Sequence, residues 1–407
     1  MMDLDAAREA LLDALTPVTE TETVPLAHAL GRVLAEDVHA RSDVPPFPNS
    51  AMDGYAVRAD DPALAAGAPL VVVDRSLAGR PARRAVGAGE TVRIFTGAVL
   101  PDGADAVIAQ EDATPLDADR VRLAPTARPG RFVRGAGGDV RRGEVVAARG
   151  TRVDARRLGL LAAAGVAALP VRRPLRVAVV TTGDELRDAS ATLAPGEIHD
   201  AGRYLLPALL RALPVHTVGP FHAPDDPGTL EQVLARAAGE ADVIVSLGGV
   251  SVGEADHVRE LLGRRGRVEF WSLAVKPGKP FTFGAFAGRP FLGLPGNPVS
   301  ACVTFLLLAR PALERLAGAA VTEPLAVPAR LAAPVRKTPG RRDFQRGRLA
   351  PAPDGTLRVR AFERQDSNVL STLADADCLL DLPRDAGDLP AEATVRVLPL
   401  AGLLAGG

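Results

Sequence analysis

Asp242-Val243-Ile244-Val245-Ser246-Leu247-Gly248-Gly249-Val250-Ser251-Val252-Gly253-Glu254-Ala255-Asp256 joins a short apolar run to glycines and small hydroxyl residues, and a helical pattern follows. An apolar run of this length reads as a buried strand. A strand that opens into glycines ahead of a helix leaves backbone N–H groups free, and such groups near a helix start favour an anion. Twenty residues on, Lys276-Pro277-Gly278-Lys279-Pro280 supplies cations. Lys276, Lys279 and Lys337 are the only lysines, and arginine fills every other strongly basic position. A lysine that merely supplied exposed charge could have been arginine, so two within four residues mark a binding surface.

Around this stretch apolar strands alternate with helices: strands at 176–180, 215–221 and 241–247, helices at 202–213, 227–238 and 254–262. The alternation predicts an open parallel sheet with helices on both faces, whose ligands bind beyond the carboxyl ends of the strands. Those ends carry Thr182-Gly183-Asp184-Glu185, Asp225-Asp226-Pro227, the glycine loop, and Leu294-Pro295-Gly296-Asn297-Pro298. Asp226 reads as a helix N-cap, and Pro298 suits the first turn of the helix after it. Glu185, Asp225 and Asp256 form a candidate carboxylate cluster facing Lys276 and Lys279. Two roles stay open to it: bridging Mg²⁺ to phosphate oxygens, or positioning or deprotonating a nucleophile. The loop lacks the Gly-Lys-Ser/Thr ending of a Walker A motif and does not match the Rossmann fingerprint. At residue level the reading stops at a phosphate-bearing ligand with Mg²⁺.

The remainder of the chain has a different texture. Residues 4–15 show helical spacing, 26–34 read as a second helical piece, 36–40 as a strand, and the prolines at 45, 46 and 48 mark a boundary. Short alternating strands follow at 70–73, 91–95 and 106–109. Asp53 before Gly54 is either a plain turn residue or a ligand contact, Thr96 sits just past a strand end, and Asp139 ends a second glycine-rich loop. A helix over 151–164 closes at Gly165, and 172–174 reads as a linker. After Pro324, strands at 326–331, 344–349, 357–359, 378–382 and 394–398 predict a small β-domain or barrel-like unit in which no residue compels a chemistry.

With 407 residues the chain should divide into two to four domains. A formal net charge of -1 gives no global field for nucleic acid or an anionic membrane. Cys302 and Cys378 each sit in an apolar run, which suits reduced thiols in the cytoplasm. The first residues carry acids where a secretory signal has bases, and no apolar run reaches spanning length. The histidines lack metal-ligand spacing, which argues against a fixed zinc site.

Ser50-Ala51-Met52-Asp53-Gly54-Tyr55-Ala56, Thr96-Gly97-Ala98, Gly103-Ala104-Asp105-Ala106-Val107 and Thr182-Gly183-Asp184-Glu185-Leu186 run in order along the chain. The stretch 248–256, Lys276-Pro277-Gly278-Lys279-Pro280 and Gly293-Leu294-Pro295-Gly296-Asn297-Pro298-Val299-Ser300-Ala301 continue the series. Together they resemble the molybdopterin molybdenumtransferase family, which includes the C-terminal part of gephyrin. The resemblance implies an α/β plus β multidomain chain. Its parts are a doubly wound molybdopterin-binding α/β domain (1–21 and 171–321), a small mixed linker subdomain (22–41 and 138–170), a β-rich subdomain (42–137) and a C-terminal β-barrel-like domain (322–407). It implies a cytoplasmic, Mg²⁺-dependent enzyme that inserts molybdenum from molybdate into adenylylated molybdopterin and releases AMP. It also implies a homodimer with its site between subunits, and a molybdopterin-adenylylating protein as partner.

Carried onto matching motifs, Asp225 and Asp256 are the principal acids and Glu185 a further one, all three candidate metal ligands. Lys276 and Lys279 hold anions; Ser246, Gly248, Gly249, Ser251, Gly253, Pro295, Gly296 and Asn297 contact the ligand; Asp53, Thr96 and Asp139 come from the facing subunit. Departures cluster near the same loops. Ser272 stands where a basic residue is usual, Ile198-His199-Asp200-Ala201-Gly202 replaces a segment ending in Ser/Thr-Asn, and Ala136, Ala189-Ser190 and His257 are further changes. They support an alternative, a catalytically weak pterin-binding or scaffold protein. A nucleotide pyrophosphatase is a third reading, against which the β-rich region before residue 175 stands.

Overall fold

The computed structural model describes residues 1–249, 257–265 and 268–401. Leu175–Thr182 and Val243–Leu247 are buried along nearly their whole length, as strands covered by helices on both faces must be. They lie within a six-stranded sheet ordered Val215–Ala223, Leu175–Thr182, Val243–Leu247, Arg289–Leu294, Pro280–Phe286, Val268–Ser272. On one face pack Leu206 and Leu210 of the Gly202–Leu210 helix, the helical run from Pro298 to Leu316, and Leu4, Ala7 and Leu11 of the Leu4–Asp13 helix. On the other lie Leu230 and Leu234 of the Pro227–Glu240 helix, with Val258 and Leu262.

The first four strands are parallel, as the alternating pattern predicts, and of the last two Pro280–Phe286 runs the other way, antiparallel to both its neighbours. The cause is the Ala287-Gly288 turn, where both residues take positive φ (50° and 76°). A two-residue turn of this hand makes a hairpin and has no length for a crossover. The run after Pro298 also departs from a plain helix: Phe305–Ala309 is a π-helical segment ahead of Pro311, which supplies no N–H to the helical ladder. The helical piece expected over 26–34 shrinks to one turn, Leu26–His28. Gly31 at φ 77° breaks it, and Val33 and Leu34 bridge to Arg152 and Val171 instead.

Upstream of the α/β sheet, strands Gly54–Val57, Leu70–Ser76, Glu90–Ile94, Ala106–Ala109, Ala113–Pro115 and Arg120–Leu123 form a second six-stranded sheet. A smaller unit pairs Thr21–Pro25 with Ala168–Arg172 around the Ala155–Ala163 helix, which Asp154 caps. At the C-terminal end, Val327–Leu331, Arg342–Pro351, Leu357–Ala361, Cys378–Leu382 and Thr394–Pro399 close into a five-stranded barrel, because Arg342–Pro351 pairs with both Leu357–Ala361 and Cys378–Leu382. The barrel is tied to the α/β sheet region: Val275–Lys276 pairs in parallel with Arg342 and Asp343, and Phe344, Leu379 and Leu398 continue the α/β core. Among the described residues no helix is long and apolar enough to cross a membrane.

Candidate functional site

A cleft of about 850 Å³ opens beyond the carboxyl ends of the parallel strands. Its floor is the glycine loop, where Gly248 and Gly249 hold φ values of 86° and 64°. A Cβ on Gly248 would lie 2.7 Å from Thr182 Oγ1 and 2.9 Å from Thr182 O, so the backbone reaches a spot that side chains cannot share. Pro295, Gly296 and Asn297 form the adjoining wall, and Asn297 is the N-cap of the Pro298–Thr304 helix with its side chain making no capping bond. That terminus is therefore open to another acceptor.

Glu185 and Asp225 line the same cleft. The Asp225 backbone N–H donates to Asp184 Oδ1 at 3.0 Å, which fixes the loop after Val215–Ala223 against the loop after Leu175–Thr182. Asp226 is the helix cap the sequence predicts, accepting from the Thr229 N–H at 2.7 Å. Lys276, Lys279 and Arg341 line the cleft too. Lys276 Nζ is 3.8 Å from Asp343 Oδ2, a nearly buried barrel carboxylate that also accepts from Gln345 Nε2 at 3.0 Å. Lys279 and Arg341 have no ion-pair partner among the described residues. The all-oxygen donors Glu185 and Asp225 suit a hard cation such as Mg²⁺. No group of three metal-binding side chains forms among the described residues, and Asp256, the expected third acid, lies outside them, as do Ser251 and Gly253.

Ser246 does not line the cleft: it is fully buried, and its hydroxyl has no partner among the described residues. Asp53, Thr96 and Asp139 also stay off the cleft of their own chain. Asp53 and Thr96 do meet: the Thr96 backbone N–H and hydroxyl each donate to Asp53 Oδ1 at 2.8 Å, which lowers the Asp53 carboxyl below its ordinary range. Asp139 is exposed. Ser272 is absent from the cleft wall, whereas the altered segment 198–202 lies on it, with Asp200 accepting from the Arg203 N–H at 2.9 Å.

Sequence reasoning missed the barrel's share of the wall: Arg341, Gln365, Asp366 and Ser367. Their placement depends on Arg346, a fully buried guanidinium that donates to the carbonyls of Gln365 (2.9 Å), Arg364 (3.2 Å) and Asp366 (3.0 Å). Gln365 answers by accepting from the Arg346 N–H at 2.9 Å. An arginine between Phe344-Gln345 and Gly347 was the one available signal, and it reads as an ordinary strand residue.

Three family models match in order: MoeA N-terminal region (domain I and II) over residues 2–165, a probable molybdopterin binding domain over 178–315, and MoeA C-terminal region (domain IV) over 328–400. The chain is 38% identical over 405 residues to a molybdopterin molybdenumtransferase of Haemophilus influenzae, covering 99% of this chain and 100% of that protein. It is 38% identical over 387 residues to molybdopterin molybdenumtransferase 2 of Mycobacterium tuberculosis, covering 93% and 95%. Among solved structures, the molybdopterin biosynthesis moeA protein of Pyrococcus horikoshii OT3 superposes with a TM-score of 0.83 at 29% identity, covering 98% of this chain and all of that one. On identity of this level across its whole length, the chain belongs to the molybdopterin molybdenumtransferase family.

Proposed function

We propose that this chain is a transferase of molybdenum cofactor biosynthesis, which inserts molybdenum from molybdate into adenylylated molybdopterin and releases AMP. The observation that carries the reading is one cleft lined by Glu185 and Asp225 together with Lys276, Lys279, Arg341 and the glycine loop. Three cations and an open helix terminus suit a phosphoanhydride together with a tetrahedral oxyanion. Glu185 and Asp225, with Asp256, would hold Mg²⁺, which when bound neutralises phosphate charge and polarises the bond to be broken. Water adds to the phosphoanhydride, the bridging P–O bond breaks, AMP departs and the pterin keeps its own phosphate; the two dithiolene thiols bind molybdenum in place of one molybdate oxygen, which leaves as water with their protons. Lys276 and Lys279 hold the anionic groups in line, a positioning role. The reading includes a cytoplasmic homodimer completed by Asp53, Thr96 and Asp139 of the second copy, supplied by a molybdopterin-adenylylating protein.

The test is AMP release from adenylylated molybdopterin with molybdate and Mg²⁺, run beside a known insertase. Asp225→Asn is expected to lower turnover by roughly 10²-fold or more with an unchanged melting temperature. No AMP from the wild-type chain sinks the reading; tight pterin binding without AMP identifies a catalytically weak pterin-binding protein instead.

A further inference from the structure

A second cavity, of about 250 Å³, shares no residue with the cleft. Five arginines line it, Arg32, Arg152, Arg172, Arg173 and Arg211, and no carboxylate does. Two have acidic partners outside the lining: Arg32 pairs with Glu22, and Arg173 with Asp242 at 2.6 Å and Glu20 at 3.2 Å. The other three form no close ion pair among the described residues, although the Glu314 carboxylate acts on Arg152 from farther off. Arg172 donates from Nη1 to the carbonyls of Val18 (2.9 Å) and Thr19 (3.1 Å), while its Nε is buried with no acceptor among the described residues. Arg152 donates to the Ala212 carbonyl, and burial pushes its guanidinium below the ordinary range. Arg211 is exposed at the C-cap of the Gly202–Leu210 helix, a position that favours a cation.

Like charges gathered in a partly dehydrated cavity repel, and an unsatisfied guanidinium N–H is costly to bury, so the arrangement is relieved by an anion. Guanidinium forks match tetrahedral oxyanions. We propose that this cavity is a binding site for a free, doubly charged tetrahedral oxyanion of the inorganic phosphate class. The volume suits such an ion with a few waters and falls short of pockets that enclose nucleotide-sized ligands. The lining comes from the turn at 31–33 and Arg152, from the connection 172–174, and from residues 211–215 of the α/β region. A bound anion therefore clamps the joint between the small mixed unit and the α/β sheet.

Full-length protein is dialysed to equilibrium against labelled inorganic phosphate at constant ionic strength, and melted in phosphate against chloride. One phosphate per chain beyond any held by the cleft cations, retained in Lys279→Ala, and a melting temperature raised by several degrees over chloride are expected. Arg211→Gln, at an exposed position, should weaken binding on the order of ten-fold, with Arg211→Lys falling between. Lys279→Ala, in the cleft, should leave it intact. Binding unchanged by Arg211→Gln, binding lost in Lys279→Ala, or no binding at millimolar phosphate overturns the proposal.

Discussion

Lys337 donates from Nζ to the carbonyls of Thr338 (3.4 Å), Arg384 (3.1 Å) and Ala386 (2.9 Å) inside the barrel. A compact ammonium fits that cage and a planar guanidinium does not, so the scarcity of lysine had two causes. At 276 and 279 it marked the cleft; at 337 it marked a buried cap that the sequence could not separate from a ligand contact. Asp242, the first residue of the deciding stretch, is likewise structural. Burial alone would raise its carboxyl, but bonds from Arg173 (2.6 Å) and Arg176 (3.0 Å) outweigh that and hold it well below the usual carboxylate range. A depressed folded-state pKa stabilises above the unfolded value, about 4, and that stability is lost as pH falls toward the folded value. Asp242→Asn should therefore cost about 2 kcal/mol at pH 7, because it leaves Arg176 without its carboxylate and Arg173 with Glu20 alone. Urea melts at falling pH check the sign: the gap to wild type should narrow below about pH 4.

At the scale of elements, what the sequence showed was local. Strand ends could be read from apolar runs meeting glycine or acid, so Glu185, Asp225 and the loops at 248–249 and 295–297 were legible and do line one cleft. Arg341 and residues 365–367 were not, because barrel closure and the Arg346 bonds bring them there from far along the chain. Ser246 lies buried off the cleft for a finer reason: side chains alternate along a strand, and one position decides whether a hydroxyl faces the cleft or the core. The glycines of the loops also differ in kind. Gly248→Ala meets Thr182 at 2.7 Å and must hold φ 86°, so it should destabilise by about 2 kcal/mol. Gly296→Ala finds its nearest neighbour, Gly248 Cα, at an ordinary 3.6 Å. Chemical denaturation should leave Gly296→Ala near wild type, while its methyl group on the cleft wall should weaken binding of the proposed pterin substrate. Equal loss of stability in both variants would refute this account of the floor.

At the scale of the whole molecule, the proposed dimer gives Asp53, Thr96 and Asp139 a cleft to act on. One chain assembles a cleft from its α/β and barrel parts, and these three residues are not on it. Asp139 is exposed, and no carboxylate bond of its own holds it in place among the described residues. If it serves catalysis, it serves a cleft in a second copy, as the proposed homodimer requires. A mixing experiment separates this from a merely structural residue. Asp225→Asn and Asp139→Asn homodimers should each be inactive with unchanged melting temperatures. When equal amounts are unfolded and refolded together, about half of the dimers are mixed. In a mixed dimer the two substitutions fall in one site and leave the other with neither, so about a quarter of wild-type AMP release returns. If both residues served the same chain's cleft, every site would keep one lesion and no activity would return. An active Asp139→Asn homodimer would instead remove that residue from the site, leaving the cleft cations and acids to carry the reaction alone.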